Sequence, residues 1–533
     1  MIKINAKDYG IIPNSDKDQT KKIVKLLNDV KNIDEACSVK FDYGTYNFYR
    51  ENSLNYKCFI SNCTTSKEYA DNTRHFGIVI ENQKNLTIDA SGSKFNYIDK
   101  MSEVLIKDST NIKLINCKFD FKEPTVFEFK VIKKGLFYID VKINEEYQEI
   151  FTTRLWKKMK LCVKISNSTK KFKRVFSINK LFIKQKHLGN NTYRLYSLGL
   201  INLFNINVND VFHFRDGIRN EVGIFIENSK NITLEYCNLN FMHGLGIIAQ
   251  KCKNLNFKSL NFIPQVGRTC AGFADFLHIS GCKGNVFIKN CKFDGAHDDC
   301  INIHSTYLKV LKKISDYELE VRYMHPQTYG IMPFIVDDEI MLVNSSTLMS
   351  YHKNSVVDCV RVDNYVFKVK LANKINKVEK SSVIQNLSEV TEVVIEDNYF
   401  TNTPTRGILL TNGKKAVIRN NKFIRVNMSA ILIACDANSW YESGPVNDVL
   451  IENNYFEDCG FPNINIAPEV KKIDGYIHKN IKIDSNEFNI NNLKPIISAN
   501  HVDGLKIVNN KCNLPILKKI KNCINIIEED IKC

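Results

Sequence analysis

A short pattern, roughly Asn/Gly-φ-x-φ-x-x-Asn/Cys-x-Phe with φ apolar, returns ten times along this chain. Its instances close at Phe95, Phe119, Leu239, Phe262, Phe293, Phe400, Phe423, Phe456, Phe488 and Cys512. Neighbouring closures fall 23 to 33 residues apart, except across two gaps of 120 and 107 residues. A unit of a few tens of residues cannot bury its apolar side alone and must stack on the next, which makes a solenoid. Each unit is a short alternating strand, such as Asn285 to Lys289, followed by an Asn-rich corner. No stretch between units has helical periodicity, so leucine-rich and ankyrin-type repeats are disfavoured. What remains is an all-β chain wound as a parallel β-helix, with equivalent side chains of successive coils about 4.8 Å apart.

The two gaps divide the chain. Residues 1–120 hold an N-terminal cap and the first coils. The first 60 residues read as a lid, in which Asp16 to Val30 carries the helical stripe Ile23, Leu26, Leu27 and Val30. Residues 121–216 show period-2 strands at Val126–Val131 and Leu136–Val141 without the repeat signature. Coils return over 217–306, a second interruption spans 307–388, and coils resume over 389–533. Each interruption is too long for a loop. Both read as small antiparallel β-barrel inserts, and the Lys-rich end at Lys518–Lys521 reads as a blunted last edge.

The 533 residues carry a net charge of +16. The lysines are spread evenly with no basic stripe interleaved with aromatics, so a solvated cationic surface is favoured over nucleic-acid binding. Of the 17 cysteines, Cys117, Cys237 and Cys291 share one place in the repeat, where small apolar thiols stack without bonds. No CxxC pair or Cys/His zinc spacing occurs, so neither metal nor cofactor is expected. The amino end lacks the apolar run of a signal peptide, and no segment approaches the ~18 apolar residues of a membrane span. A cytoplasmic location is therefore expected, and exposed insert surfaces leave self-association open.

The chemistry is found by aligning the strand after each corner. Ile247/Leu277/Ile301/Ile408/Ile431 and Ala249/Ile279/Ile303/Leu410/Ile433 stay apolar and face inward. The column between them, Ile248/His278/Asn302/Leu409/Leu432, faces out and turns polar only in the middle coils, with His304 on the same parity. At the strand entrance Asp275, Asp299 and Arg406 share a column, and Asp298 precedes Asp299. Stacked like charges repel, and a structural sheet face avoids them. Crowded carboxylates also split their ionisation, giving the acid and the base that an inverting glycosidase needs. A simple stack at ~5 Å is shorter than the ~6.5–9.5 Å of inversion, so Asp298 must project differently from Asp299. His278, Asn302 and His304 are candidate sugar contacts, and Arg406 either binds substrate or neutralises Asp299. The corner Asp436–Gly444 adds Trp440, one of two tryptophans, as a sugar platform beside Glu442. Asn420–Asn421 and Asn453–Asn454 read as structural corners.

The runs Ala274–Gly284, Asp298–His304 and Trp440–Gly444 resemble glycoside hydrolase family 110. The resemblance implies an exo-acting, inverting α-1,3-galactosidase on a right-handed β-helix with two β-barrel inserts, needing no metal. It further implies catalytic roles for Asp275, Asp298 and Asp299. By the related polygalacturonase arrangement, Asp298 would be the acid and Asp275 with Asp299 the water-activating pair. Ser305 stands where the family pattern has Gly. The expected substrate is then an α-galactoside oligosaccharide or glycan, blood-group-B-type or linear. Rival readings are a polygalacturonase, a uronate lyase on the same scaffold, and a tailspike- or adhesin-like β-helix that only binds glycan.

Overall fold

The computed structural model describes residues 1–175, 178–411, 413–515 and 517–529. Three long sheets of 13, 12 and 13 strands run the length of the molecule. One turn of the spiral shows how they are made. Ile247–Gln250 lies in the third sheet, Lys253–Lys258 in the first, Asn261–Phe262 in the second, and Leu277–Ser280 returns to the third one coil later. The alignment drawn above is the register found: Ile247 pairs with Leu277, Leu277 with Ile301, Ile301 with Ile408 and Ile408 with Ile431.

Two side-chain ladders explain why the motif repeats. Phe262, Phe293, Phe400, Phe423, Phe456 and Phe488 stack in one column with ring centroids 4.6–5.1 Å apart. Such contacts contribute beyond area burial by about 0.5–1.5 kcal/mol per pair. Beside it, Asn398, Asn421, Asn454, Asn486 and Asn510 are buried, each amide bonded to the next at 2.9–3.0 Å. Asn420 and Asn453, one residue earlier, take the left-handed conformation that turns the corner. Cys117, Cys237 and Cys291 occupy the ladder's amino-terminal rungs as buried free thiols.

The cap helix, Thr20–Lys31, buries Ile23, Leu26, Leu27 and Val30 as its stripe predicts. The expected lid is only partly a lid. Ile2–Asn5 already pairs in parallel with Cys37–Lys40, and Thr45–Tyr49 with Lys94–Ile98, so coiling starts at the amino end. These strands are too short and irregular in spacing to show the repeat.

The two inserts differ from each other. Leu308–Asn386 forms a closed six-stranded barrel around Leu319, Val321, Phe367, Val369 and Ile384. Phe127–Arg215 is instead a seven-stranded antiparallel sheet around Trp156, Phe127, Phe151 and Phe214. Its edges, Phe172–Val175 and Phe182–Gly189, do not pair with each other, so it does not close. The first of these edges is engaged elsewhere, with Arg174 turned to the coil at Asp298.

Their points of departure position the site. The sheet insert leaves between the second and third sheets, after Lys118–Phe121 and before Ile224–Glu227. The barrel leaves between the third and first, after Ile301–Thr306 and before Thr391–Glu396. Both therefore flank the third sheet. Between them the segment around Phe59–Cys63 lies on its outer face: Gln250 bonds the backbone of Phe59 and Ser61, and the outward residues Phe225 and Ile248 are buried in one cluster with Cys58, Ile60 and Cys63.

Candidate active site

A pocket of about 320 Å³ opens on the outer face of the third sheet where the outward column turns polar. Asp275, His278, Asp298, Asp299, Asn302 and Arg406 from the aligned coils and Trp440 and Glu442 from the polar corner all line it. His304 does not. It is buried behind His278, its Nε2 2.8 Å from His278 Nε2, so the expected sugar contact is corrected to a supporting position.

Asp298 and Asp299 diverge as the corner demands. Asp299 turns along the coil and accepts from Arg406, at 3.1 Å from the backbone N–H and 2.9 Å from Nη1. Asp298 turns toward the sheet insert, with Arg174 at 2.9 Å and Arg219 at 3.3 Å. Arg406 thus neutralises Asp299 and also lines the pocket.

The charges split unevenly. Burial and the neighbouring Asp298 push Asp275 up to about 7. Burial also raises Asp299 to about 7, against the pull of Arg406. At Asp298 burial acts in the same direction, but Arg174, Arg219 and Arg215 outweigh it and hold the carboxyl below its ordinary value. The expected acid, Asp298, is therefore the carboxylate of the three least able to keep a proton. The sequence could not show this, because the guanidinium groups responsible lie outside the repeat.

The hydrogen-bond chain at Asp275 points to the same proton. His304 Nδ1 lies 3.0 Å from the Ser305 carbonyl, which only accepts, so Nδ1 carries hydrogen. Burial lowers both histidines, His278 to about 4, so each is neutral apart from exchange with its partner. His304 Nε2 then accepts from His278 Nε2–H, and His278 Nδ1, 2.8 Å from Asp275 Oδ2, has only a lone pair. A proton must lie between Asp275 and His278. Ser305, at the position where Gly was expected, continues the strand and pairs with Ser443, which fixes this carbonyl.

Three residues that the sequence reading missed complete the walls, and a fourth braces Trp440. Asn62, from the segment before the first regular coils, donates to Glu442 at 2.9 Å and lines the pocket. Arg174 comes from the sheet insert and Arg219 from its return to the coil. His325, from the barrel, stacks on Trp440 with centroids 4.3 Å apart. None belongs to a repeating column, so spacing carried no signal for them. Asp436 orders the corner below Trp440 by accepting the backbone N–H groups of Asn438, Ser439 and Trp440. Asn302 Oδ1 is buried without a partner, and Asn302 lines the pocket.

Among the described residues one group has metal-ligand spacing, His213, Cys270 and His297, with their atoms within 4.8 Å. It lies outside the pocket, and His213 Nδ1 and His297 Nε2 share a hydrogen bond at 2.8 Å. Arg215 and Arg174 also act on His297, a field that repels a cation.

Residues 318–381, within the closed barrel, match the family model for GLAA-B beta-barrel domain II. An alpha-1,3-galactosidase A of Bacteroides thetaiotaomicron is 35% identical over 94% of this chain and 90% of its own length. One from Bacteroides fragilis is 31% identical over 94% and 86%. A family 28 exopolygalacturonase of Yersinia enterocolitica superposes with a TM-score of 0.45 at 11% identity, over all of this chain and 79% of that one. The shared sequence spans coils, inserts and acidic corner together, and this chain belongs to the alpha-1,3-galactosidase family of glycoside hydrolases.

Proposed function

We propose that the enzyme removes a terminal α-1,3-linked galactose with inversion, using the three aspartates of the pocket. The observation that carries this reading is the split of charge: one carboxylate clamped ionised by two arginines, beside a pair that retains a proton. Those are the two states inversion requires. The pocket volume sits at the small end of the ~300–1,000 Å³ typical of ligand sites, which suits one terminal sugar rather than a polymer groove. The linkage is taken from the relatives' names.

In this reading the Asp275–His278 pair supplies the proton to the leaving oxygen. Asp298 is the base that activates water on the opposite face, and Asp299, tied to Arg406, tunes both. Trp440, braced by His325, forms the platform for the sugar face, while Asn302 and Glu442 bind its hydroxyls. A second reading exchanges Asp275 and Asp298. It is favoured by the greater opening of Asp298, whose side chain is 18% exposed against 7% for Asp275. The described cysteines are all free thiols, which supports an intracellular oligosaccharide as substrate.

Proton NMR of the sugar released from linear α-1,3-digalactoside and from a blood-group-B-type oligosaccharide tests the proposal. Initial appearance of β-galactose is expected; initial α-galactose overturns inversion. The acid is identified by leaving group. Replacing it spares hydrolysis of an activated aryl α-galactoside, whereas replacing the base does not.

A further inference from the structure

A second cavity of about 300 Å³ lies between the sheet insert and the coil. Arg174 lines both cavities. The second is walled by Lys160, Cys162, Val175, Arg215 and His297, and no carboxylate is among its described lining residues. Arg215 is 2% exposed, and its Nε and Nη1 are buried without a hydrogen-bond partner. Its guanidinium lies 4.6 Å above the ring of Phe273, which leaves its N–H groups unsatisfied at the edge. Buried orphan donors on a charged group are costly, and a bound anion would satisfy them.

His297 adds a second requirement. It is 1% exposed and its Nδ1 has no partner. Thr269 Oγ1 donates to Glu128 and so accepts from His213 Nε2–H, 2.6 Å away. His213 Nδ1 then accepts from His297 Nε2–H, leaving a bare lone pair on His297 Nδ1. The cavity thus offers guanidinium and ammonium donors together with one buried acceptor.

We propose that this cavity binds a small oxyanion bearing a hydroxyl, its charged oxygens on Arg215, Arg174 and Lys160 and its O–H on His297 Nδ1. Monohydrogen phosphate has this chemistry, either free or as a phosphate ester on a sugar. Because Arg174 also holds Asp298, the anion sits one guanidinium away from the reacting carboxylates.

The test is a titration of the full chain, purified without phosphate, with inorganic phosphate followed by calorimetry and phosphorus NMR. Saturable binding is expected, weaker by about tenfold for sulfate, which has no proton to offer His297 (about 1.4 kcal/mol). Lys160→Glu reverses an exposed charge and Val175→Trp fills the space; each should abolish binding. Lys160→Glu should leave hydrolysis of an aryl α-galactoside in phosphate-free buffer unchanged, which separates this site from the catalytic one. Tighter binding of galactose 6-phosphate than of phosphate assigns the anion to a sugar, and equal binding assigns it to the free ion. Failure of both to bind, or binding that survives both substitutions, overturns the proposal.

Discussion

The two inserts flank the same sheet yet serve the pocket through different physics. The sheet insert lends charge: its unclosed edge turns Arg174 onto Asp298, and its return strand leads to Arg219. The barrel is closed, its six strands pairing with one another. It reaches the pocket through a ring, His325 stacked on Trp440. An open edge can therefore govern the protonation of a neighbouring acid, while a closed barrel chiefly shapes a wall.

The comparison breaks most sharply at the carboxylates. Asp275→Asn and Asp298→Asn are each expected to lower kcat on a natural disaccharide by about 10²–10⁴-fold. With an activated aryl α-galactoside, Asp275→Asn should recover most of its loss and Asp298→Asn little. Equal recovery would remove the distinction between the two acids.

Next in size are the arginines. Removing Arg219 or Arg174 raises Asp298 toward its ordinary value, because burial is then opposed by fewer guanidinium groups. The base must be ionised, so activity falls as pH drops through its value. Arg219→Met should therefore move the acid limb of the kcat/KM profile upward by about one unit or more, with a loss of about tenfold. The alkaline limb belongs to the proton held near Asp275. It must be retained for acid catalysis and leaves as pH rises through about 7. Loss of His278, as His278→Gln, should shift that limb, and Arg219→Met, which also withdraws a cation from Asp275, should move it upward together with the acid limb.

The barrel's contribution should be smaller and free of pH dependence. His325→Ala unbraces Trp440 and is expected to raise KM by about two- to tenfold, the worth of one aromatic pair, with kcat and both limbs unchanged. A shifted limb would show that the barrel, too, acts by charge. The smallest catalytic effect is expected far from both inserts. Asn454→Ala breaks two ladder bonds and should cost about 1–3 kcal/mol of stability in denaturant unfolding while leaving kcat/KM alone.

The spiral was legible because its stabilising contacts repeat. Phe400, Phe423 and Phe456 stack only if they recur in register, so the stacking that holds the coils together also writes the spacing. Asp275, Asp298 and Asp299 were legible for the same reason, as charged interruptions of a regular column. The inserts appeared only as silences in the pattern. Their difference in closure depends on whether Phe172–Val175 meets Phe182–Gly189, a pairing that leaves no periodic trace.

The amino-acid order by itself determined the coil, its register and the meeting of three acids on adjacent rungs, since neighbours along a solenoid are set by counting residues. Which acid keeps its proton was decided only by tertiary structure. Arg174, Arg219 and His304 reach that corner from outside the aspartate column, and a pKa is set by the field of whatever lies near in space, not near in sequence.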